Sequence, residues 1–130
     1  MTAKAKLRTN AAALLKQLSA ICLKLPEATR EEGGHSKDHA IFRVRKKVFA
    51  YFLNNHHGDG IISVCFKCLP GEQQELIELD PERYYSPAYI GPRGWTGMRL
   101  DRGRVSWPQI KRHIRASYAL TAPKKLVSTL

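Results

Sequence analysis

Three short segments with a two-residue apolar period follow one another between residues 41 and 67, and only tight turns separate them. In AIFRVRKKVFAYFLN, Phe42 and Val44 face one side, while Ile41 and the two arginines that follow face the other. The RKK tripeptide predicts a hairpin turn into a second strand, and IISVCFK, after the turn NNHHGDG, predicts a third. Connections this short favour an antiparallel sheet.

Helical periodicity appears on both sides of this region. Near the N-terminus, apolar residues recur at helical spacing, which predicts an amphipathic helix; they are Ala11, Leu14, Leu15, Leu18, Cys22 and Leu25. Towards the C-terminus, SWPQIKRHIRASYAL has Ser106 as N-cap, Gln109 three residues later and Pro108 in the first turn, which predicts a second long helix. A short helix over EQQELIELD and a strand over GWTGMRLD lie between them, while KLPEATREEGGHSKDH reads as a loop.

The predicted order of elements is therefore α-β-β-β-α-β-α. This order predicts an α+β fold, a two-layer sandwich of a mainly antiparallel sheet with helices packed on one face. A chain of 130 residues suits one domain, with its core over about residues 10–122 and a frayed tail at 123–130. The expected core residues are Leu14, Leu18, Phe42, Val44, Ile62, Val64, Phe66, Leu100, Ile110 and Ile114.

Positive charge is concentrated at the C-terminal end of the chain. Residues 1–82 hold 12 basic and 10 acidic side chains, a net of +2, whereas residues 83–130 hold 10 basic side chains and one acid, a net of +9. This favours a polyanionic partner, and a solubilising surface charge is the alternative. No apolar stretch approaches the roughly 18 residues of a membrane span. We expect a cytoplasmic protein that binds no membrane and has no obligate protein partner.

Reactive side chains give little evidence of catalysis. The motif CFKC is a single Cys-x-x-Cys pair, which His56 and His57 could complete as a zinc site, but two ordinary thiols at Cys65 and Cys68 are favoured. The HSKDH segment also groups His35, Asp38 and His39, for which solvated loop residues are the favoured interpretation. There is no nucleophile elbow, phosphate-binding glycine loop or buried carboxylate pair. We expect a protein that is not an enzyme and has no metal, cofactor or disulfide.

The stretch YYSPAYIGPRGWTGMRLDRGR combines aromatic rings with arginines. Aromatic residues in a loop rich in proline and glycine usually pack that loop onto the domain. We expect Tyr85 and Tyr89 to be mostly buried for this reason. Strand parity places Trp95 beside arginines on the side of the sheet away from the helices, so we expect its ring to stay partly accessible, as on a nucleic-acid surface.

Four stretches together resemble the MmcQ/YjbR-like family of small bacterial proteins over about residues 10 to 125. They are LPEATREE, FRVRKKVFAYF, YYSPAYIGPRGWTGMRLD and RASYALTAPKK. The resemblance implies a frataxin-like α/β sandwich, and members of the family are commonly labelled DNA-binding. Frataxin-like proteins that handle iron use an acidic surface, so that activity is not implied for this basic chain. RVRKKVF departs from the family in having two lysines where the turn often holds a glycine.

Two functional hypotheses follow from these observations. The first is non-enzymatic DNA binding by a basic surface of the sheet and the last helix. The second is a small-molecule or protein-binding domain that recognises an acidic ligand in a pocket near Trp95. The residues expected to contact nucleic acid are Arg43, Arg45, Lys46, Lys47, Lys67, Arg93, Trp95, Arg99, Arg102, Arg104, Lys111, Arg112 and Arg115.

Overall fold

The computed structural model describes residues 3–32 and 39–130, the side chains of residues 3–9 and of His57 excepted. Its strands are β1 (Thr29–Glu32), β2 (Ala40–Val44), β3 (Lys47–Asn54), β4 (Ile62–Lys67), β5 (Tyr84–Tyr85) and β6 (Trp95–Arg99). Its helices are α1 (Ala3–Cys22), α2 (Glu72–Leu79), α3 (Trp107–Thr121) and the single turn α4 (Lys124–Val127). Two 3₁₀ turns lie at His56–Gly58 and Gly91–Arg93.

The strands form one antiparallel sheet in the order β1-β2-β3-β4-β6-β5. The predicted strands β2, β3, β4 and β6 are confirmed, and helices pack on one face of the sheet, as the α+β prediction requires. The two edge strands were not predicted. In β1 the sequence TREE, which was expected to be loop, is exposed at every residue, so no apolar alternation marks it.

The hairpin between β2 and β3 turns through Arg45 and Lys46, whose φ angles are +48° and +70°. Positive φ at both central residues is what a type I′ turn requires, and glycine is favoured there because it has no Cβ. The two basic residues therefore form the turn in a conformation that side chains rarely adopt. A register shift follows, because Phe42 pairs with Ala50 while Arg43 pairs with Val48, and Phe49 enters the core as the extra residue.

The main core lies between the helices and the inner face of the sheet. Buried residues of α1 and α3 form one cluster there with the inward residues of β2, β3, β4, β5 and β6. All ten expected core residues are buried, from Leu14 to Ile114, and this prediction is confirmed. In α3 the inward stripe also includes Ser117, whose hydroxyl donates to the Phe49 carbonyl at 2.6 Å and accepts from the Lys67 amide at 2.8 Å.

Residues 123–130, for which we expected a frayed tail, include the helical turn α4. After Pro123 the chain forms α4, in which the amides of Leu126 and Val127 donate to the Pro123 carbonyl at 2.9 and 3.1 Å. Both of these apolar side chains pack against the main core, which holds the turn in place. No helix in the described part of the chain is both long enough and apolar enough to cross a bilayer.

Candidate nucleic-acid interface

The aromatic residues of the 84–95 segment do not lie where the sequence placed them. Tyr89 was expected to be buried but is 76% exposed, with φ at +69°, and Trp95 was expected to be accessible but is only 7% exposed. Within this segment the buried tyrosine is Tyr84, which is 1% exposed. Sequence parity could not separate Tyr84 from its neighbour, because the pairing of β5 with β6 decides which of the two rings points inward.

Tyr85 is half-buried and lies on the outer face of the sheet. Its ring crosses the strand β6 at Gly97, where an added Cβ would lie 2.3 Å from the ring carbon Cε1. Its hydroxyl forms a 2.7 Å hydrogen bond with the Ser63 hydroxyl on β4. Burial raises the pKa of Tyr85 well above its usual range, so its hydroxyl stays protonated at neutral pH.

The outer face of the sheet carries a second apolar cluster. Leu53, Cys65 and Trp95 form its buried centre, with Val48, Tyr51 and Ile90 packed against them. The rings of Trp95 and Tyr51 have centroids 4.9 Å apart, and the Lys67 ammonium lies 5.6 Å from the centroid of the Trp95 ring. The strand parity was right, but loop and neighbouring side chains cover the face, so Trp95 offers no open stacking platform.

Several of the predicted phosphate-binding arginines are neutralised by ion pairs. Arg43 pairs with Glu31, and Arg45 forms a two-pronged contact with Glu27 at 2.6 and 2.8 Å. The contact with Arg45 lowers the pKa of the Glu27 carboxyl, mainly through the hydrogen bond.

The other two pairs link residues that surround the end of β6. The Arg99 guanidinium donates hydrogen bonds to both carboxylate oxygens of Asp101 at 3.0 Å, and Arg102 contacts Glu82 at 2.6 Å. The Arg102–Glu82 pair is exposed, whereas Arg99 and Asp101 are largely shielded from solvent, and both pairs remove net charge from the surface. These ion pairs therefore cancel much of the positive electrostatic potential that was expected on the sheet side of the predicted site.

The remaining predicted cations make no ion pair within the described residues, and they lie on two sides of the sandwich. Because Ile110, Ile114 and Ser117 of α3 pack on the inner face of the sheet, the exposed cations of α3 project away from it. Lys67 and Trp95 belong to the opposite, outer face. The structure therefore does not bring all thirteen residues onto one surface. The unpaired cations are Lys46, Lys47, Lys67, Arg93, Arg104, Lys111, Arg112 and Arg115.

The fold and the arrangement of the candidate residues allow comparison with known proteins. The family model described as YjbR matches residues 23–120 of the chain. The chain belongs to the YjbR family. The fold is similar to that in the crystal structure of Deinococcus radiodurans protein DR2400, which carries the DUF419 domain, with 20% sequence identity and a TM-score of 0.67. The similarity covers 82% of this chain and 76% of that one. No curated protein matches.

Family membership confirms the resemblance and the fold that the sequence predicted. It assigns no chemistry to this YjbR-family chain, because one fold can carry unrelated functions. The functional argument therefore depends on the side chains.

The cysteines of this YjbR protein are held as thiols. Cys65 lies in the outer cluster, whereas Cys68 packs against the main core and contacts the Thr96 hydroxyl at 3.2 Å. Burial raises the pKa of Cys65 to about 12 and that of Cys68 to about 11, which disfavours the thiolate that metals and electrophiles need. Across residues 3–32 and 39–130, no three His, Cys, Asp or Glu side chains are grouped to hold a metal. His35 and Asp38 lie outside the described residues.

A partly buried hydrogen-bond network joins α3 to β5 in this YjbR-family chain. Tyr84 accepts a hydrogen bond from the Gln109 side-chain amide at 2.7 Å and shares a 2.9 Å hydrogen bond with Nε2 of His113. Which of Tyr84 and His113 donates in the second bond depends on the imidazole tautomer, because a phenol hydroxyl can both donate and accept. The imidazole also stacks on Phe66, with centroids 4.3 Å apart. Gln109 thus contacts Tyr84 as well as capping through its backbone amide, which donates to Ser106 Oγ at 3.4 Å.

This network makes stability depend on pH. Burial lowers the pKa of His113 below its usual value near 6.5, so the unfolded chain binds the proton more tightly. The stabilisation is present above pH 6.5 and is lost as the pH falls through that value towards the lower pKa of the folded state. We expect urea midpoints to fall between pH 7.5 and 5, and H113Q to show a smaller fall over the same range. An equal fall in parent and variant would contradict a role for His113.

Proposed function

We propose that this chain is a non-enzymatic DNA-binding protein that contacts the phosphate backbone through the solvent side of α3. Lys111, Arg112 and Arg115 form what we name the α3 basic surface. All three side chains are exposed, and none makes an ion pair within the described residues. The observation that carries the proposal is that residues 102–130 hold seven basic side chains and no acid, so nothing in this segment neutralises the surface.

The spacing of these cations suits a phosphate backbone. Lys111 and Arg115 are one helical turn apart, which places their Cβ atoms about 5–6 Å from each other. Duplex DNA presents a phosphate every 3.4 Å of axis on each strand, so long basic side chains at this spacing reach neighbouring phosphates. The guanidinium groups of Arg112 and Arg115 add planar donors that fit phosphate oxygens two at a time.

Further cations extend the surface at both ends of α3. Arg104 precedes the helix and is exposed, and Lys124 and Lys125 follow it in α4. These residues contact backbone and not base edges in this proposal, so we expect weak sequence preference.

The turn of the β2–β3 hairpin lies near the C-terminal part of α3. The Tyr118 hydroxyl donates to the Pro26 carbonyl at 2.7 Å, and the neighbouring Glu27 holds Arg45 of the hairpin turn. These contacts bring Arg45 of the turn near the C-terminal part of α3, and we include the adjoining Lys46 and Lys47 in the proposed surface. Lys67, Arg93 and Arg99 on the sheet side are no longer part of the proposed contact area.

The second hypothesis, an acidic ligand near Trp95, has less support. The Trp95 ring is covered by Tyr51, and the nearby Lys67 already lies over it. Two cavities, at the end of α1 and around Asp80 and Arg102, are not lined by this ring.

We expect binding to duplex DNA to weaken steeply as salt increases. Each phosphate contact contributes about −0.9 to the slope of log K against log salt, so the three contacts together contribute about −2.7. Between 50 and 200 mM salt these contacts would account for a loss of about 40-fold in affinity. The triple variant K111Q/R112Q/R115Q should flatten the slope by about 2.7 units in fluorescence-anisotropy titrations.

The matched control removes the same charge from arginines that are already paired. R43Q/R45Q/R102Q lowers the net charge by three, but its arginines contact Glu31, Glu27 and Glu82, so its slope should stay near that of the parent. Equal flattening in both triple variants would mean attraction by net charge alone and would refute the α3 basic surface. No binding to duplex DNA at 50 mM salt would refute the proposed function.

A further inference from the structure

A cavity of about 310 Å³ opens where the end of α1 meets α3. Three cations line it: Lys24 from the loop after α1, and Lys111 and Arg115 from one side of α3. Residues 129–130 border it, and no acidic side chain is among its lining residues. None of the three cations makes an ion pair within the described part of the chain, so their charges add in one small volume.

Part of the cavity wall is apolar. Ile21 and Leu25 line the cavity together with Pro26, and Leu25 is buried in the main core. The Tyr118 hydroxyl of α3 holds the Pro26 carbonyl at 2.7 Å, which ties this wall to the helix that supplies two of the cations. The segment that supplies Lys24 and the apolar residues is therefore held against α3 before any ligand arrives.

We propose that this cavity binds a small phosphomonoester that carries a short apolar or aromatic group. A phosphomonoester is close to a dianion at neutral pH, and its three oxygens can be shared among three cations. The Arg115 guanidinium can contact two of those oxygens, while the two lysines act as point charges. A carboxylate has one charge and two oxygens and would leave one of the cations without a partner. The apolar wall favours an organic substituent over free phosphate.

The cavity and the α3 basic surface overlap only in part. Lys111 and Arg115 belong to both, whereas Lys24 lines the cavity and Arg112 does not. The inference thus goes beyond DNA binding, and either can fail alone. Arg112→Gln is the matched control, since it removes one unpaired arginine from the same helix without touching the cavity.

Phenyl phosphate is the probe for this proposal. Titration at pH 7.5, followed by two-dimensional amide NMR, should saturate with a Kd in the millimolar range, as expected of so small a ligand. The shifted amides should cluster at residues 21–26 and 111–115. Inorganic phosphate, which lacks the ring, and benzoate, which lacks the second charge, should each bind about tenfold more weakly. Affinity for phenyl phosphate should also fall below about pH 6, as the phosphate becomes a monoanion.

Substitution separates the cavity from general charge attraction. K24Q and R115Q should each weaken phenyl phosphate about tenfold, the effect of losing one charged hydrogen bond. R112Q should change its Kd by less than about twofold, while still reducing the salt dependence of DNA binding by about one unit.

Three outcomes would overturn the proposal: no saturable shift at residues 21–26, benzoate binding as tightly as phenyl phosphate, or R112Q weakening the probe as much as K24Q. A chain that binds duplex DNA with the slope described above but not phenyl phosphate would overturn the cavity and leave the proposed function standing. The opposite result would overturn DNA binding and leave the cavity standing.

Discussion

Tyr84→Ala should lower the free energy of unfolding by about 3–5 kcal/mol, the range for removing a large aromatic side chain from a core. The Tyr84 ring is fully buried beneath α3 and packs in the main cluster. Its hydroxyl also hydrogen-bonds to Gln109 and His113, so the truncation leaves two partly buried polar groups without this partner. Urea unfolding followed by circular dichroism at pH 7.5 would measure the loss.

Tyr89→Ala is the control, because it makes the same chemical change five residues away on an exposed ring. We expect its unfolding free energy to stay within about 0.5 kcal/mol of the parent. Alanine meets the same backbone strain at φ +69° as tyrosine does, so the comparison isolates the ring. If Tyr89→Ala proved the more damaging variant, the orientation of the whole 84–95 segment would be wrong.

The strands that line the core were predictable because their apolar residues alternate along the sequence, and this alternation indicates which face is buried. Alternation in β2 and β4 assigns Phe42, Val64 and Phe66 to one face, and each of these residues is buried there. The edge strands show no such alternation. β1 is charged and exposed throughout, and β5 is two residues long, so both exist only through pairing with a neighbouring strand.

The candidate interface was less predictable, because charge neutralisation depends on partners that are distant in sequence. Arg43 is 12 residues from Glu31, Arg45 is 18 from Glu27, and Arg102 is 20 from Glu82. A count of basic residues along the chain cannot detect these pairs.

Lys24 illustrates the converse case. No pattern in the sequence around Lys24 marks it as a binding residue, and the net charge of residues 1–82 is only +2. Its role in the proposed cavity arises only because the loop after α1 lies against α3. Trp95 was assigned to the correct face by parity, but parity says nothing of the loop residue Ile90 that packs against its cluster.

The second large effect is expected at Gly97, in the middle of β6. The three atoms nearest to a Cβ built there all belong to the Tyr85 ring, at 2.3 to 2.9 Å, well inside van der Waals contact. Gly97→Ala must therefore displace that ring from the outer face and separate its hydroxyl from Ser63. We expect a loss of about 2–3 kcal/mol in unfolding free energy, at the upper end of the usual penalty for overpacking.

A double-mutant cycle with Tyr85→Ala identifies the cause. If the ring alone opposes the new methyl group, Gly97→Ala should be harmless or slightly stabilising in the Tyr85→Ala background, because alanine is favoured over glycine in a strand by about 0.5–1 kcal/mol. The coupling energy between the two sites should then reach about 2–3 kcal/mol, the upper range for residues in direct contact. Additive losses in the double variant would show that Gly97 is required by the backbone of β6 itself, and that the Tyr85 ring does not rest on it.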